Sequence, residues 1–414
     1  MKLIGLFPSL YDLRLSLRNT LRHRARTAIA ISAVGFGVVA LLLAGGFINW
    51  SLWALRESTI ESRLGHIQIV RPGFIESGAA NPFFYRLPDN APELRSIAAM
   101  PHVKAVAPRV GFSGLISHGE TTMSFIGEGV DAQKEEEISR GVVISQGSGL
   151  SVADPKGIIV GEGLAANLGI GVGDKVVLLA NTASGGVNGV EVRVRGLFST
   201  FTKAFDDAAL RVPIATAQEL LRTNGAHSWV LLLDKTENTD AVMAQLKKEL
   251  DAGKLQFIPW FDLADFYNKT AALFSRQVYV VYVIIALVIV LSISNTLIMS
   301  VLERTGEIGT LMATGTTRKK IQQMFVSEGV ILGMLGGAIG VLFGIILAQI
   351  ISYIGIPLPP PPGSNRAFTG QIMVTFSLSV TALAIAVGTT LLASFYPAWK
   401  ASRLTIVDAL RHNR

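Results

Sequence analysis

Four stretches of this chain are long and apolar enough to cross a lipid bilayer. They cover about residues 27–48 (TAIAISAVGFGVVALLLAGGFI), 278–301, 324–354 and 376–396. A spanning helix needs about 20 such residues, and only a helix or a closed barrel satisfies every backbone polar group inside hydrocarbon. The expected fold class is therefore an α-helical membrane protein with four transmembrane helices. Charged residues make up only 16% of the chain, against about 25% in soluble proteins. With no cysteine present, disulfides, thiolate metal sites, cysteine nucleophiles and S-acylation are all excluded.

The charges say which side of the membrane each segment occupies. Residues 51–276 hold 22 basic and 25 acidic side chains, leaving 15 basic and 5 acidic for the rest of the chain. That basic excess sits beside the apolar runs. Arg14, Arg18, Arg22, Arg24 and Arg26 precede the first, Arg304, Arg318, Lys319 and Lys320 separate the second from the third, and Lys400, Arg403, Arg411 and Arg414 follow the fourth. The 355–375 loop has a single base, Arg366. Lys and Arg mark cytoplasmic loops, so both termini and residues 303–323 are expected inside, with 51–276 and 355–375 outside. A basic chain can also bind nucleic acid, but this placement is a topology signal and no nucleic-acid partner is expected. The expected division is a cytoplasmic interfacial helix over 1–26, spans at 27–50, 277–302, 324–354 and 376–396, an outside α+β domain over 51–276, a cytoplasmic loop over 303–323, an outer proline-rich loop over 355–375 and a cytoplasmic tail over 397–414. In 1–26, Leu10, Leu13, Leu17 and Leu21 recur at helical spacing beside the arginine row. The first apolar run is longer than a signal-peptide core and lacks an A-x-A-like site after it, so no cleavage is expected.

INWSLWALRESTIESRLG continues the first span as an amphipathic helix, with Gly65 as its stop, and DLADFYNKTAALFSRQ leads into the second. The two predict a stalk of projecting helices. Between them, HIQIV, VAPRVGFSGLIS, TMSFIGEGV, GIIVG, KVVLLA, VEVRVRGLF and SWVLLL read as strands. TAQELLRTNG and DAVMAQLKKELDAG read as helices capped by their glycines, giving a mixed α+β domain. IIVGEGLAANLG imitates a dinucleotide fingerprint, but its helix would be only about six residues long, far short of the crossover such a site requires. The six histidines are scattered, and neither a Walker A motif nor G-x-S-x-G is present. The chain is expected to be non-catalytic, with no cofactor or metal of its own.

Gly336, Gly340 and Gly344 form a small-xxx-small row in the third span, the pattern that lets a second helix approach closely. The spacing leaves open whether that helix belongs to this chain or to another copy. Glu328, near one end of the same span, is a functional candidate because of its depth, or simply reaches interfacial water or Lys320. The 301–320 stretch, VLERTGEIGT LMATGTTRKK, predicts a short amphipathic helix at the membrane face. Ile308, Leu311 and Met312 share one side, Glu303 and Glu307 lie one turn apart on another, Gly315 ends the helix, and Thr316 or Thr317 caps the next. An apolar face of that kind suits a protein groove.

NTLIMSVLERTGEIGTLMATGTTRKKI, the terminal YPAWKASRLTIVDALRH and IIVGEGLAANLGIGVGDKVVLL together resemble the FtsX-like permeases of ABC transporters, the family that includes the MacB and LolC/LolE types. The resemblance covers nearly the whole chain in order. It implies that 51–276 is a MacB-type periplasmic core domain, and that Glu303, Arg304, Glu307, Ile308, Leu311, Met312 and Gly315 belong to an ATPase-coupling helix. It also implies that the chain is a bacterial inner-membrane half-transporter whose ATP and Mg bind on a separate ATPase subunit. Two ATPase copies, a second permease copy or paralogue, membrane lipids and a periplasmic adaptor or lipoprotein carrier are the implied partners. The implied work is mechanotransmission, in which ATP-driven closure moves the outside domains to extract or export a lipoprotein, lipid, peptide or drug. A signalling role, switching a periplasmic hydrolase or sensor, is the alternative. In IPLPPPPGSNRAF, four consecutive prolines favour a stiff polyproline II spacer at the outer mouth.

Overall fold

The computed structural model describes residues 24–78, 81–200, 202–251, 253–358 and 368–405. The expected interfacial helix up to residue 23, residues 359–367 of the proline-rich loop and the 406–414 end lie outside the described residues.

In chain order, α1 (Arg24–Thr59) runs into a π turn (Ile60–Leu64) and then β1 (Ile67–Val70), α2 (Pro92–Ala98), β2 (Val103–His118) and β3 (Thr121–Val130). Next come α3 (Glu135–Ile138), β4 (Val143–Gly147), β5 (Gly157–Gly161), α4 (Glu162–Leu168), β6 (Lys175–Asn181) and β7 (Val187–Ser199). They are followed by β8 (Ala209–Pro213), α5 (Ile214–Leu221), β9 (Ser228–Leu233), α6 (Thr239–Glu249) and β10 (Gln256–Pro259). The chain continues through α7 (Asp265–Glu303), α8 (Thr305–Ala313), α9 (Arg318–Ile354) and α10 (Phe376–Ser402). Four of these helices, α1, α7, α9 and α10, carry apolar windows long enough to span a membrane. The chain forms two compact units, one made of Trp53–Thr270 with Pro357–Phe368 and the other of the remainder.

In the membrane unit, small residues set the helix spacing. A Cβ on Gly336 would lie 2.7 Å from Val34 Cβ, one on Gly340 2.7 Å from the Gly35 carbonyl oxygen, and one on Gly344 2.6 Å from Leu42. The partner of the glycine row is therefore α1 of the same chain. Gly329, Gly333 and Gly337 repeat the four-residue step on another face, where added carbons would meet Ser394, Thr390 and Leu383 of α10. Helix α9 thus packs closely on two sides, which is the van der Waals solution available where lipid is as apolar as any side chain. Ser294 on α7 adds a hydrogen bond to the Ala393 carbonyl at 3.0 Å.

The inserted unit is built on a ring of strands. β2 pairs with β3, β3 with β8 in parallel, β8 with β5, β5 with β7 in parallel, β7 with β6, and β6 again with β2. Closure leaves those strands no free edge. The first half of β2 leaves the ring to pair with β9, which continues through β1 to β10. Ile116, Phe125, Val176 and Val192 fill the core.

All seven strands expected from the sequence are present, and β4, β8, β10, α2 and α3 come in addition to the expected elements. The two glycine caps were misplaced. α5 ends with Arg222 in the left-handed region (φ 48) and α6 with extended Leu250, so both helices stop short of Gly225 and Gly253. Gly225 is used for close approach instead, since a Cβ there would lie 2.5 Å from the Leu87 carbonyl oxygen. The first two glycines of IIVGEGLAANLG have a similar purpose. Added carbons at Gly161 and Gly163 would collide with Asp206 and Asp207, and α4 is seven residues long.

Candidate functional site

The segment between the second and third spans forms a compact, anchored corner. α7 ends at Glu303, the chain bends at Arg304, and α8 begins at Thr305. Helical bonding survives the bend, because the Ile308 amide donates to the Arg304 carbonyl at 2.9 Å and Thr305 Oγ1 donates to Val301 and Leu302. α8 is closed by bonds from Gly315 N to Met312 O and from Thr316 N to Leu311 O. Gly315 has φ +96, a conformation that penalises any side chain. Thr317 caps α9 by accepting the Lys320 amide.

Ile308 does not face outward with its expected companions. It is 1% exposed, packed among Val301, Ile321, Phe325, Ala398 and Ala401 of the same chain, with Met312 half-buried beside it. Leu311 is 40% exposed. The three-residue step puts it about 60° round the helix from Ile308, at the margin of the buried face. The surface left for a partner is a stripe of Glu303, Glu307, Thr310, Leu311 and Thr314, all exposed. Of the expected coupling residues, Glu303, Glu307 and Leu311 present themselves, Ile308 and Arg304 anchor, and Gly315 turns the chain.

Electrostatic contacts complete the anchor. The Arg304 guanidinium lies 3.2 Å from Glu307 and 3.6 Å from Glu328, and its centre sits 5.9 Å from the Phe325 ring. The base facing Glu328 is thus Arg304. Arg26, at the start of α1, pairs with Glu303, so the first span is tied to the same corner. In the sequence Arg26 is only a topology marker, because 277 residues separate it from Glu303 and leave no local signal. Among the described residues, no group of three or more His, Asp or Glu could hold a metal ion.

Four spans, a closed-ring domain inserted after the first, and a compact exposed corner between the second and third define a multi-pass membrane protein with one large inserted domain. Two family matches say which one. Residues 27–249 match the MacB-like periplasmic core domain and residues 279–406 the FtsX-like permease C-terminal region, so the chain belongs to the FtsX-like permeases that carry a MacB-like periplasmic core domain. It is 24% identical to the lipoprotein-releasing system transmembrane protein LolE of Haemophilus influenzae, over 75% of this chain and 78% of that protein. Identity to LolC of Neisseria meningitidis serogroup B is 23%, over 93% and 94%. Among solved structures, the periplasmic region of MacB from Actinobacillus actinomycetemcomitans aligns at 14% identity over 51% of this chain and 94% of that one, with a TM-score of 0.37, a likeness too loose to add weight. The chain is an ABC transporter permease of the LolC/LolE/MacB type.

Proposed function

We propose that this permease receives the work of ATP hydrolysis from a separate ATPase subunit through the α8 corner, and uses it to move its periplasmic domain against an amphipathic cargo, a lipoprotein or lipid being the favoured class. The α8 geometry carries this reading. A helix that buries Ile308 and Arg304 in its own bundle cannot swing independently, and it offers the stripe of Glu303, Glu307 and Leu311 to a docking groove. Force applied to that stripe is delivered to α7 and α9 without slack, and through Arg26 to α1. ATP and Mg belong to the ATPase. Two ATPase copies and a second permease chain complete the assembly in the inner membrane, with the chain's termini cytoplasmic and its large domain periplasmic. The charge distribution supports that orientation, and the relatives named as lipoprotein-releasing proteins support the cargo class.

Glu307→Lys reverses the charge of the exposed stripe. It is expected to lower both recovery of the ATPase with the permease and the ATPase rate of the complex at least tenfold, while the thermal transition of the permease is retained. Wild-type recovery and rate in this variant would refute the docking role.

A further inference from the structure

Where α1 enters the inserted unit, its last turn is wound as a π turn. The Gly65 amide donates to the Ile60 carbonyl, five residues back, at 2.9 Å. Such turns are rare and frequently mark functional sites. Three successive carbonyls of this turn are held by the inserted domain. The Gly141 amide donates to Glu61 O at 3.1 Å, Arg211 Nη2 donates to Ser62 O at 2.7 Å, and Arg109 Nη1 donates to Arg63 O.

The two guanidiniums belong to a closed, buried network. Arg211 on β8 reaches Glu128 on β3 at 2.9 Å and Glu135 on α3 at 3.0 Å, and Arg109 on β2 reaches Glu135 at 2.8 Å. Ser139 also donates to Glu135, and Arg63 returns from the π turn itself to Glu128 at 3.3 Å. Arg109, Glu128, Glu135 and Arg211 are between 1% and 7% exposed. Burial alone would raise the Glu128 carboxyl, but Arg211, Arg109 and Arg63 hold it down at about 2, firmly ionised. Burying four charges is not the cheapest way to stabilise a fold, since well-packed apolar residues of similar volume often do as well or better. What the charges add is direction. Apolar contacts would let a helix end roll, whereas forked bonds to consecutive carbonyls fix its angle and its height. The other helix starts differently. α7 follows a short turn (Trp260–Leu263) and non-helical Ala264, with Tyr267 against the Trp260 ring at 5.2 Å and the Asn268 side chain donating to Phe261 O at 2.7 Å.

We propose that the π turn and the Arg109–Glu135–Arg211–Glu128 network form the joint through which rotation or axial shift of α1 is delivered to the strand ring, with Arg109 and Arg211 as positioning residues and the start of α7 as the yielding pivot. The proposal rests on the reading of this chain as an ATPase-driven permease and names the place where the drive enters its domain.

The test uses the full permease–ATPase complex in nanodiscs, read by amide hydrogen exchange with and without ATP. Arg211→Met combined with Glu128→Leu removes the Arg211–Glu128, Arg211–Glu135 and Arg63–Glu128 pairs and the Ser62 clamp but leaves Arg109 with Glu135. Exchange over residues 60–65 without nucleotide is expected to quicken at least tenfold. ATP turnover is expected to stay within twofold of wild type, and the nucleotide-dependent exchange change in β3 and β5 is expected to disappear. Arg211→Lys keeps the charge but loses the fork, and is expected to lose the same response should the double variant fold poorly. Arg193→Ala, which breaks an exposed pair with Asp154 on the same ring, is expected to leave the response intact. Unchanged exchange at 60–65 in the double and Lys variants would overturn the clamp, and a preserved nucleotide response in a loosened turn would overturn transmission through it. A wild-type complex without nucleotide response would overturn the ATPase-driven reading and the transmission role with it, while nucleotide-free exchange at 60–65 still reads the clamp on its own.

Discussion

Two buried ionic sites, one in each compact unit, are built to opposite specifications. At the α8 corner, Arg304 meets Glu328 across 3.6 Å and also faces the half-exposed Glu307 at 3.2 Å. One guanidinium is shared between a carboxylate in the bundle and one at the surface. At the end of α1, two guanidiniums and two carboxylates close on one another with contacts near 3 Å, and the spare donors are spent on backbone carbonyls. The first arrangement keeps one of its carboxylates, Glu307, at the surface. The second keeps all four of its members buried.

The largest expected effect comes from opening the closed site on one side. Glu135→Leu leaves Arg109 and Arg211 short of a carboxylate that both contact, and removing one member of a buried pair costs about 3–5 kcal/mol. Thermal unfolding of the full chain followed by intrinsic fluorescence should show it, and a loss under about 1 kcal/mol would mean that the network is not closed in the sense described.

Acid probes the same unit with a smaller effect. Burial, then Arg56, lowers His66 from 6.5 to about 4. Its Nδ1 accepts the Leu233 amide at 3.0 Å and so requires the neutral ring. A histidine with a depressed folded-state value binds fewer protons folded than unfolded. Its contribution is therefore complete above about pH 6.5 and is lost as pH falls toward 4, at roughly 3 kcal/mol for the full shift. The Glu128 carboxyl, lowered from 4.5 to about 2, contributes above its unfolded value and is lost only below that. The network should therefore survive the pH range in which His66 titrates. His66→Phe should flatten stability between pH 6.5 and 4 and leave the loss at lower pH, and a wild-type profile already flat between 6.5 and 4 would contradict the assignment to His66.

The smallest effect belongs to the open site. Glu328→Gln leaves Arg304 with Glu307 and the Phe325 ring, so its stability cost should be roughly half or less of that for Glu135→Leu. A cost equal to that of Glu135→Leu would erase the contrast between the two sites.

The membrane half was readable because its grammar is local. Hydrophobic runs, the basic residues beside them and glycines four apart all appear as short-range pattern, and the Gly315 turn follows from one residue's backbone freedom. The inserted domain was readable only in part. β8, the pentapeptide ALRVP, is buried throughout, so it lacks the alternation that marks a half-exposed strand, and the acids before it look like a loop. Arg109, Glu128, Glu135 and Arg211 sit on four different elements with no spacing to connect them. The Ile308 error has a related cause: helical spacing says which residues share a face, not what that face meets.

Amino-acid order alone determined that this chain crosses a membrane four times, that one large domain follows the first crossing, and where the turns between helices fall. These depend on the solvent preference and backbone freedom of neighbouring residues. Tertiary structure decided that the glycine row receives α1 of the same chain, that Glu328 answers Arg304, and that the inserted domain grips three carbonyls at the end of a helix. Those are long-range contacts, selected when distant segments share a dry space and every buried charge and carbonyl must find a partner within about 3 Å.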